Sequence, residues 1–291
     1  MKVVLIGSLS MVCISAYAQI PDIKFHLDAT FSYRVTPDGI PLAKFYDVLG
    51  RPSTLGLSFY TEQGFRVFVT QKLQHLPGEL ATDLFDEYFI EDEKIWKVGK
   101  QYLPFGSGKI LRDSALAARG DTNLILEGLP ISVAICDSGK GLDNGVVGRM
   151  GSAFGLSLAL GENFGTSGTA LTSVRRPEDA PGPGHGWKEA VGLDGSHRLN
   201  SRWSVRAEGV FLRRGETALD RDTDIFEMGV SYDPKRGEST SLTFSRLQQD
   251  QSSFLRLAGS YALSKNISFE PMVRYRNSSL FDISAELRIR I

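Results

Sequence analysis

From Leu280 to Ile291 apolar and polar residues alternate one for one. Phe281, Ile283, Ala285, Leu287, Ile289 and Ile291 share one parity, and Asp282, Ser284, Glu286, Arg288 and Arg290 the other. Successive strand side chains point to opposite faces, so the segment predicts a strand with one apolar face and one charged or polar face. The rhythm recurs. In Lys24–Arg34, Phe25, Leu27, Ala29, Phe31 and Tyr33 oppose a polar set. In Arg202–Leu212, Trp203, Val205, Ala207 and Phe211 oppose Ser204, Arg206 and Glu208. Ser253–Leu263 sets Leu255, Leu257, Tyr261 and Leu263 against Arg256 and Ser260, and Ile267–Arg276 sets Phe269, Val273 and Tyr275 against Glu270, Arg274 and Arg276.

Further strands are predicted at Thr54–Tyr60, Phe65–Lys72, Leu84–Ile90, Lys94–Tyr102, Asn123–Gly128 and Ile131–Cys136. Gly145–Arg149, Ala153–Leu160, Trp187–Leu193, Asp224–Tyr232 and Ser241–Leu247 complete the set. Leu84–Ile90 alone has faces that its alternation does not assign. Long links at Val35–Ser53, Leu103–Thr122 and Gly161–Gly186 alternate with tight ones such as Thr61–Gly64, Leu129-Pro130 and Lys265-Asn266. Strands that cross one membrane and return through short periplasmic turns and longer outer loops give this alternation. Backbone groups in lipid must all be paired, so such a sheet closes on itself. The expected fold is all-β, a transmembrane antiparallel β-barrel of about 16 strands (14–18). An even count places both termini on the periplasmic side. Tyr33, Tyr60, Trp96, Tyr102, Trp187, Trp203, Tyr232 and Tyr275 lie near strand ends, as interfacial girdles require.

Residues 1–18 read as a secretory signal, which leaves 19–291 as the barrel. Lys2 supplies the positive start, Val3–Ser15 a short apolar core, and Ala16-Tyr17-Ala18 a small-x-small cleavage site. A lipoprotein signal would need a small residue before Cys13, where Val12 stands. Cleavage near Ala18 leaves Cys136 as the single cysteine, so neither an intrachain disulfide nor a cysteine metal cluster is expected. The 33 basic and 34 acidic residues nearly cancel, so no global field recruits nucleic acid. After the signal no apolar run approaches the roughly 20 residues that a spanning helix needs.

A barrel of this size leaves an aqueous channel whose lining sets selectivity. The link Leu103–Thr122 is the candidate constriction loop. It carries Lys109, Arg112, Asp113, Arg119 and Asp121 around the small-residue run Ser114–Ala118, three bases against two acids. The same residues also fit an ordinary outer loop with solvated charges. Arg256, Arg274, Arg276, Arg288 and Arg290 are expected to face inward with Glu270, Asp282 and Glu286. Opposite charges there can brace the wall as cross-strand pairs or leave a mildly basic ladder, and mixed use is expected.

Val98-Gly99-Lys100-Gln101-Tyr102-Leu103-Pro104-Phe105-Gly106 resembles the G-[RK]-Q-x-x-P-F-G element of bacterial outer-membrane porins related to the phosphate-selective porin group. In that group the element lies where a strand feeds a loop entering the pore. The resemblance implies a diffusion channel for small solutes, often trimeric and often anion-preferring, in contact with outer-membrane lipid. The chain departs from that group in being shorter and in ending on Ile291 rather than an aromatic residue. Two other classes stay open. A barrel hydrolase would need a site around His26, His75, His185 or His197, and none sits in a phospholipase, zinc-protease or nucleophile-elbow motif. A structural or adhesive barrel would use Val35–Ser53 and Gly161–Gly186 as surface contacts. No cofactor is expected, and Gly139-Lys140-Gly141 lacks the spacing of a phosphate loop.

Overall fold

The computed structural model describes residues 22–39, 41–77, 79–80, 83–92, 95–122, 129–137, 144–182 and 184–291. The signal at 1–18 with Cys13, the expected strand Asn123–Gly128 and the turn at Gly139-Lys140-Gly141 lie outside the described residues. The strands are β1 (Lys24–Val35), β2 (Pro41–Lys44), β3 (Thr54–Tyr60), β4 (Arg66–Lys72), β5 (Phe85–Asp92), β6 (Trp96–Tyr102), β7 (Ser114–Thr122), β8 (Ile131–Asp137) and β9 (Asn144–Gly151). They continue as β10 (Phe154–Phe164), β11 (Trp187–Arg198), β12 (Trp203–Gly215), β13 (Thr223–Tyr232), β14 (Glu238–Leu247), β15 (Ser252–Ala262), β16 (Ile267–Arg276) and β17 (Ser279–Arg290).

Neighbours in sequence pair antiparallel from β3 onward, and β17 returns to β1 from Asp28↔Arg290 to Val35↔Ile283. One half of β1 pairs with β3, the other with the short β2. β2 and β3 therefore share one place in the wall, which is a closed antiparallel barrel of sixteen strands. Closure leaves no strand edge unpaired, the condition for a sheet whose outside is apolar. That outside is apolar here: Phe31, Leu55, Leu156, Leu193, Met228, Leu257 and Ile283 are exposed, whereas Thr30, Ser157, Glu227, Thr243, Asp282 and Glu286 are buried within.

Three register shifts break the ladders among the described residues; one lies between Leu160 and Phe164 of β10, and the other two change the expected faces. Between β16 and β17 the register passes from Arg274↔Asp282 to Tyr275↔Leu280, so Phe281 is the extra residue. Its ring turns inward against Phe254, 5.6 Å between centroids, instead of joining the lipid face expected for it. On β5, Thr70↔Glu87 is followed by Gln71↔Phe85, which leaves Asp86 unpaired. Phe85 and Tyr88 then face out, while Asp86, Phe89 and Glu91 are buried. No single parity fits this strand, which is why its faces could not be assigned.

The expected loop Leu103–Thr122 is shorter than its sequence suggests, because Ser114–Thr122 is the wall strand between β6 and β8. Ala115 and Ala117 are buried inside and Leu116 is exposed outside, so both faces are apolar and the alternation is invisible. Trp187 and Tyr102 are likewise not girdle residues. Trp187 is buried with its Nε1 donating to the Arg221 carbonyl (3.0 Å), and the Tyr102 hydroxyl donates to Asp86 (2.8 Å).

Short turns at 61–65, 152–153, 199–202, 233–237 and 263–266 share one end of the barrel with the termini, where Leu27 and Ile291 exchange backbone hydrogen bonds. Links at the other end are long until the last two hairpins, which close through 248–251 and 277–278. Parts of three long links, residues 46–53, 103–113 and 165–179, fold into the lumen. Val48 N there donates to Glu286, Gly106 N to Ser157 and Arg274 to the Thr172 carbonyl. Ile110, Leu111, Phe164 and Leu171 form a buried apolar cluster with Ala134, Cys136, Val147, Ala159, Val210, Leu212 and Ile225 of the inner wall. The loop-end half of the barrel on the β7–β13 side is thus a packed core.

The loops touch backbone to backbone. A Cβ on Gly50, which has φ +77°, would lie 1.9 Å from the Gly168 carbonyl oxygen. Gly50→Ala should therefore destabilise the loop contact by about 1–3 kcal/mol. Trypsin should cut after Arg175 faster in this variant, while the heat-modifiable barrel band on a gel is retained; the bond after Arg176 precedes Pro177 and resists the enzyme.

Candidate functional site

The site is assembled by the inward loops. Loop 103–113 leaves β6 through Pro104-Phe105-Gly106, and Gly106 takes φ +53°. Gly106 N donates to Ser157 Oγ (2.9 Å), and the Ser107 hydroxyl binds Glu208. The Phe105 ring lies over Gly192, where any Cβ would meet it at 2.8 Å. Ile110 and Leu111 pin the loop to the apolar wall, which leaves Lys109 and Arg112 on the loop's free edge. The Arg112 guanidinium stacks 3.9 Å from the Tyr102 ring centre.

Loop 165–186 braces this loop from above. Gly165 N and the Ser167 hydroxyl donate to Asp113 (2.7 and 3.0 Å), and Leu171 N donates to the Ile110 carbonyl. Its far end reaches the opposite wall. Arg176 donates to the Phe281 carbonyl (2.7 Å) and lies 4.0 Å over that ring, and Glu178 binds Arg34 and the Tyr46 hydroxyl. Loop 36–53 supplies Arg51 beside Asp47 (3.7 Å).

Two cavities meet below these loops and share Arg51, Gly108, Lys109 and Arg112. One, of about 180 Å³, adds Arg206, Arg256 and Arg288 to the shared cations and holds the carboxylates Asp47, Glu270 and Glu286. The other, of about 420 Å³, adds Arg119 and Arg149 and has no carboxylate in its lining. Lys109 and Arg112 form no ion pair among the described residues. Burial pulls the Lys109 ammonium down to about 8, and repulsion from Arg51, Arg206 and Arg256 adds to the effect.

Of the residues the sequence singled out, Lys109, Arg112, Arg119, Arg256 and Arg288 line these cavities. Arg119 does so from β7 rather than from a loop. Asp113 anchors loop 165–186. Arg274 forms a fully buried pair with Asp282 (2.7 Å) and holds the carbonyls of Thr172 and Arg175. Arg276 pairs with Asp250 at the loop-end rim (2.7 Å), both well exposed, where a pair is worth little. In the links Val35–Ser53 and Gly161–Gly186, which a structural or adhesive barrel would have used as surface contacts, residues 46–53 and 165–179 instead pack inside the barrel. Arg51, Arg149 and Arg206 were not singled out as site residues. Inward parity marks Arg149 and Arg206, whereas nothing in the loop around Arg51 does. His185 stands 3.4 Å from Asp220, which also accepts from the Thr217 hydroxyl.

No protein-family model matches this sequence, and no curated protein matches it. Solved structures do match in fold, and they are porin barrels. The outer membrane channel DcaP of Acinetobacter baumannii is 10% identical with TM-score 0.64, over 93% of this chain and 97% of that one. OmpF of Salmonella typhi, in a complex with daunomycin, is 11% identical with TM-score 0.59, over 93% and 98%. The anion-selective porin from Comamonas acidovorans is 10% identical with TM-score 0.57, over 92% and 98%. At such identities the likeness establishes a porin-type architecture.

Arg274→Met would leave Asp282 buried with only Arg176, 3.6 Å away. Removing one partner of a buried pair costs about 3–5 kcal/mol. The urea midpoint of the detergent-folded barrel should fall accordingly, and Arg274→Met with Asp282→Leu should lose less than Arg274→Met alone.

Proposed function

We propose that this chain is an outer-membrane porin, a passive diffusion pore for small hydrophilic solutes with a mild preference for anions. One observation carries the reading: a closed, apolar-coated barrel in which inward loops set unpaired cations, Lys109 and Arg112, where two cavities meet. Cations on a lumen wall attract anions and repel cations at close range. The porin folds it matches, one of them described as anion-selective, support the reading. Export by a signal cleaved near Ala18 and assembly as a homotrimer belong to the same proposal.

Purified protein in planar bilayers should give discrete open-channel steps, and silent bilayers from correctly folded protein would reject the pore. In a salt gradient the reversal potential should indicate excess anion flux. Changing Lys109, Arg112 and Arg119 together to glutamine should move it toward cations; an unmoved potential would take the selectivity away from these residues.

Lys109 also predicts a pH dependence. With its pKa near 8, it carries its proton at neutral pH and loses it as pH rises. Anion preference should therefore decline between pH about 7 and about 9, and Lys109→Arg, whose guanidinium stays charged, should flatten that decline.

A further inference from the structure

The cation-lined cavity has a second wall of different chemistry. Opposite the loops lies the turn-end half of β14 and β15, where Ser239, Ser241, Ala258, Gly259 and Ser260 line the void. Ser239 and Ser260 face each other across the two strands, and Ser241 faces Ala258. Small side chains leave this sector of the lumen open. None of the three serine hydroxyls makes a hydrogen bond to another described residue. Each therefore has one donor and two acceptor positions free for a guest.

The hydroxyl wall continues to the mouth. Ser239 and Ser260 also line a cavity of about 640 Å³ at the turn end, together with Arg198, Arg202, Lys235 and Arg236. A solute passing between mouth and constriction meets these cations beside Asp233 and Glu238, then free hydroxyls, then Lys109 with Arg206 and Arg256, the two arginines sharing Glu227 at 3.0 and 3.4 Å. A bare inorganic anion can accept from the hydroxyls but has no donor for their acceptor positions. An anion with an alkyl tail gains nothing from a polar wall and displaces water from the serine hydroxyls without replacing their hydrogen bonds. A chain carrying both a carboxylate and several hydroxyls uses both walls: charge-assisted bonds on one side, exchanged hydroxyl bonds on the other.

We propose that the conduit along β14 and β15 favours polyhydroxylated carboxylates, meaning sugar acids and uronates, over equally charged anions without hydroxyls. The proposal rests on the pore reading and names its solute class. Ser239, Ser241 and Ser260 are the specificity-determining residues, and Arg206, Arg256 and Lys109 hold the carboxylate.

The test is the bi-ionic reversal potential of the full-length protein in planar bilayers. Galacturonate and hexanoate, both six-carbon monoanions, are each measured against chloride. Galacturonate is the bulkier, so sieving by size alone favours hexanoate. The expected result is a galacturonate permeability about fivefold above that of hexanoate, the effect of one or two net hydrogen bonds. In the triple variant Ser239→Ala, Ser241→Ala, Ser260→Ala this ratio should fall to one or below, while the potassium-to-chloride reversal potential stays that of the wild type. Equal permeation in the wild type, or a preference that survives the triple variant, overturns the proposal and leaves the pore intact. Absence of chloride steps overturns the pore reading and this proposal with it.

Discussion

Backbone hydrogen bonding is the constraint on which the structure depends. A sheet whose outer face is Phe31, Leu55, Leu156, Met228 and Leu257 cannot leave a strand edge in the same apolar surroundings. The pairing of β1 with β17 removes the last edge, and the handover of β1 from β3 to β2 keeps the first strand paired where loop 36–53 departs inward. Closure also fixes the two ends. Turns and termini share one, and the links that can lengthen without breaking a ladder share the other. The segments that narrow the lumen come from those links, and the strands supply the rest of its lining.

Filling the lumen imposes a second interior on the first. Loop residues 103–113 and 165–186 carry backbone groups that need partners, and the wall supplies them. Ser157 accepts from Gly106 N, Glu208 from Ser107, Glu286 from Val48 N, and Arg274 donates to two loop carbonyls. Their side chains need apolar contacts, so the β7–β13 wall turns Ala115, Ala117, Ala134, Val147 and Ala190 inward. Small residues there are the space in which Ile110 and Leu111 lie. The wall of a wet pore would carry polar groups at those positions.

That second interior marks the boundary of what could be read from the sequence. Where the lumen face is mostly polar, as on β1 and β15, alternation gave the strand, its faces and its bounds to within one residue. Where the lumen face is packed, as on β7, both parities are apolar or small and the strand passes for a loop. The bulges at Asp86 and Phe281 defeated parity for another reason: one extra residue puts the two sides of the strand out of phase, and only the partner strand reveals where. Arg256 and Arg288 were legible as inward charges, whereas Arg119 was legible only as a charge of the expected loop and lies on β7. The role of Arg51 was not legible, because it depends on where loop 36–53 lies against loop 165–186, a contact between residues distant in sequence.

The ion pairs separate bracing from function. Arg274 with Asp282, Arg149 with Asp194 and Arg288 with Asp28 are matched across strands, as a wall held together by charge requires. Lys109 and Arg112 break that pattern, since they sit among Arg51, Arg206 and Arg256 without an ion-pair partner of their own among the described residues. Like charges at close range cost stability in a partly desolvated cavity, and a fold selected for stability alone would pair or replace them. Loop 103–113 instead spends the burial of Phe105, Ile110 and Leu111 on holding two unmatched cations at the junction of the cavities. Unmatched charge kept in place by a packed loop is the feature on which the proposed selectivity rests.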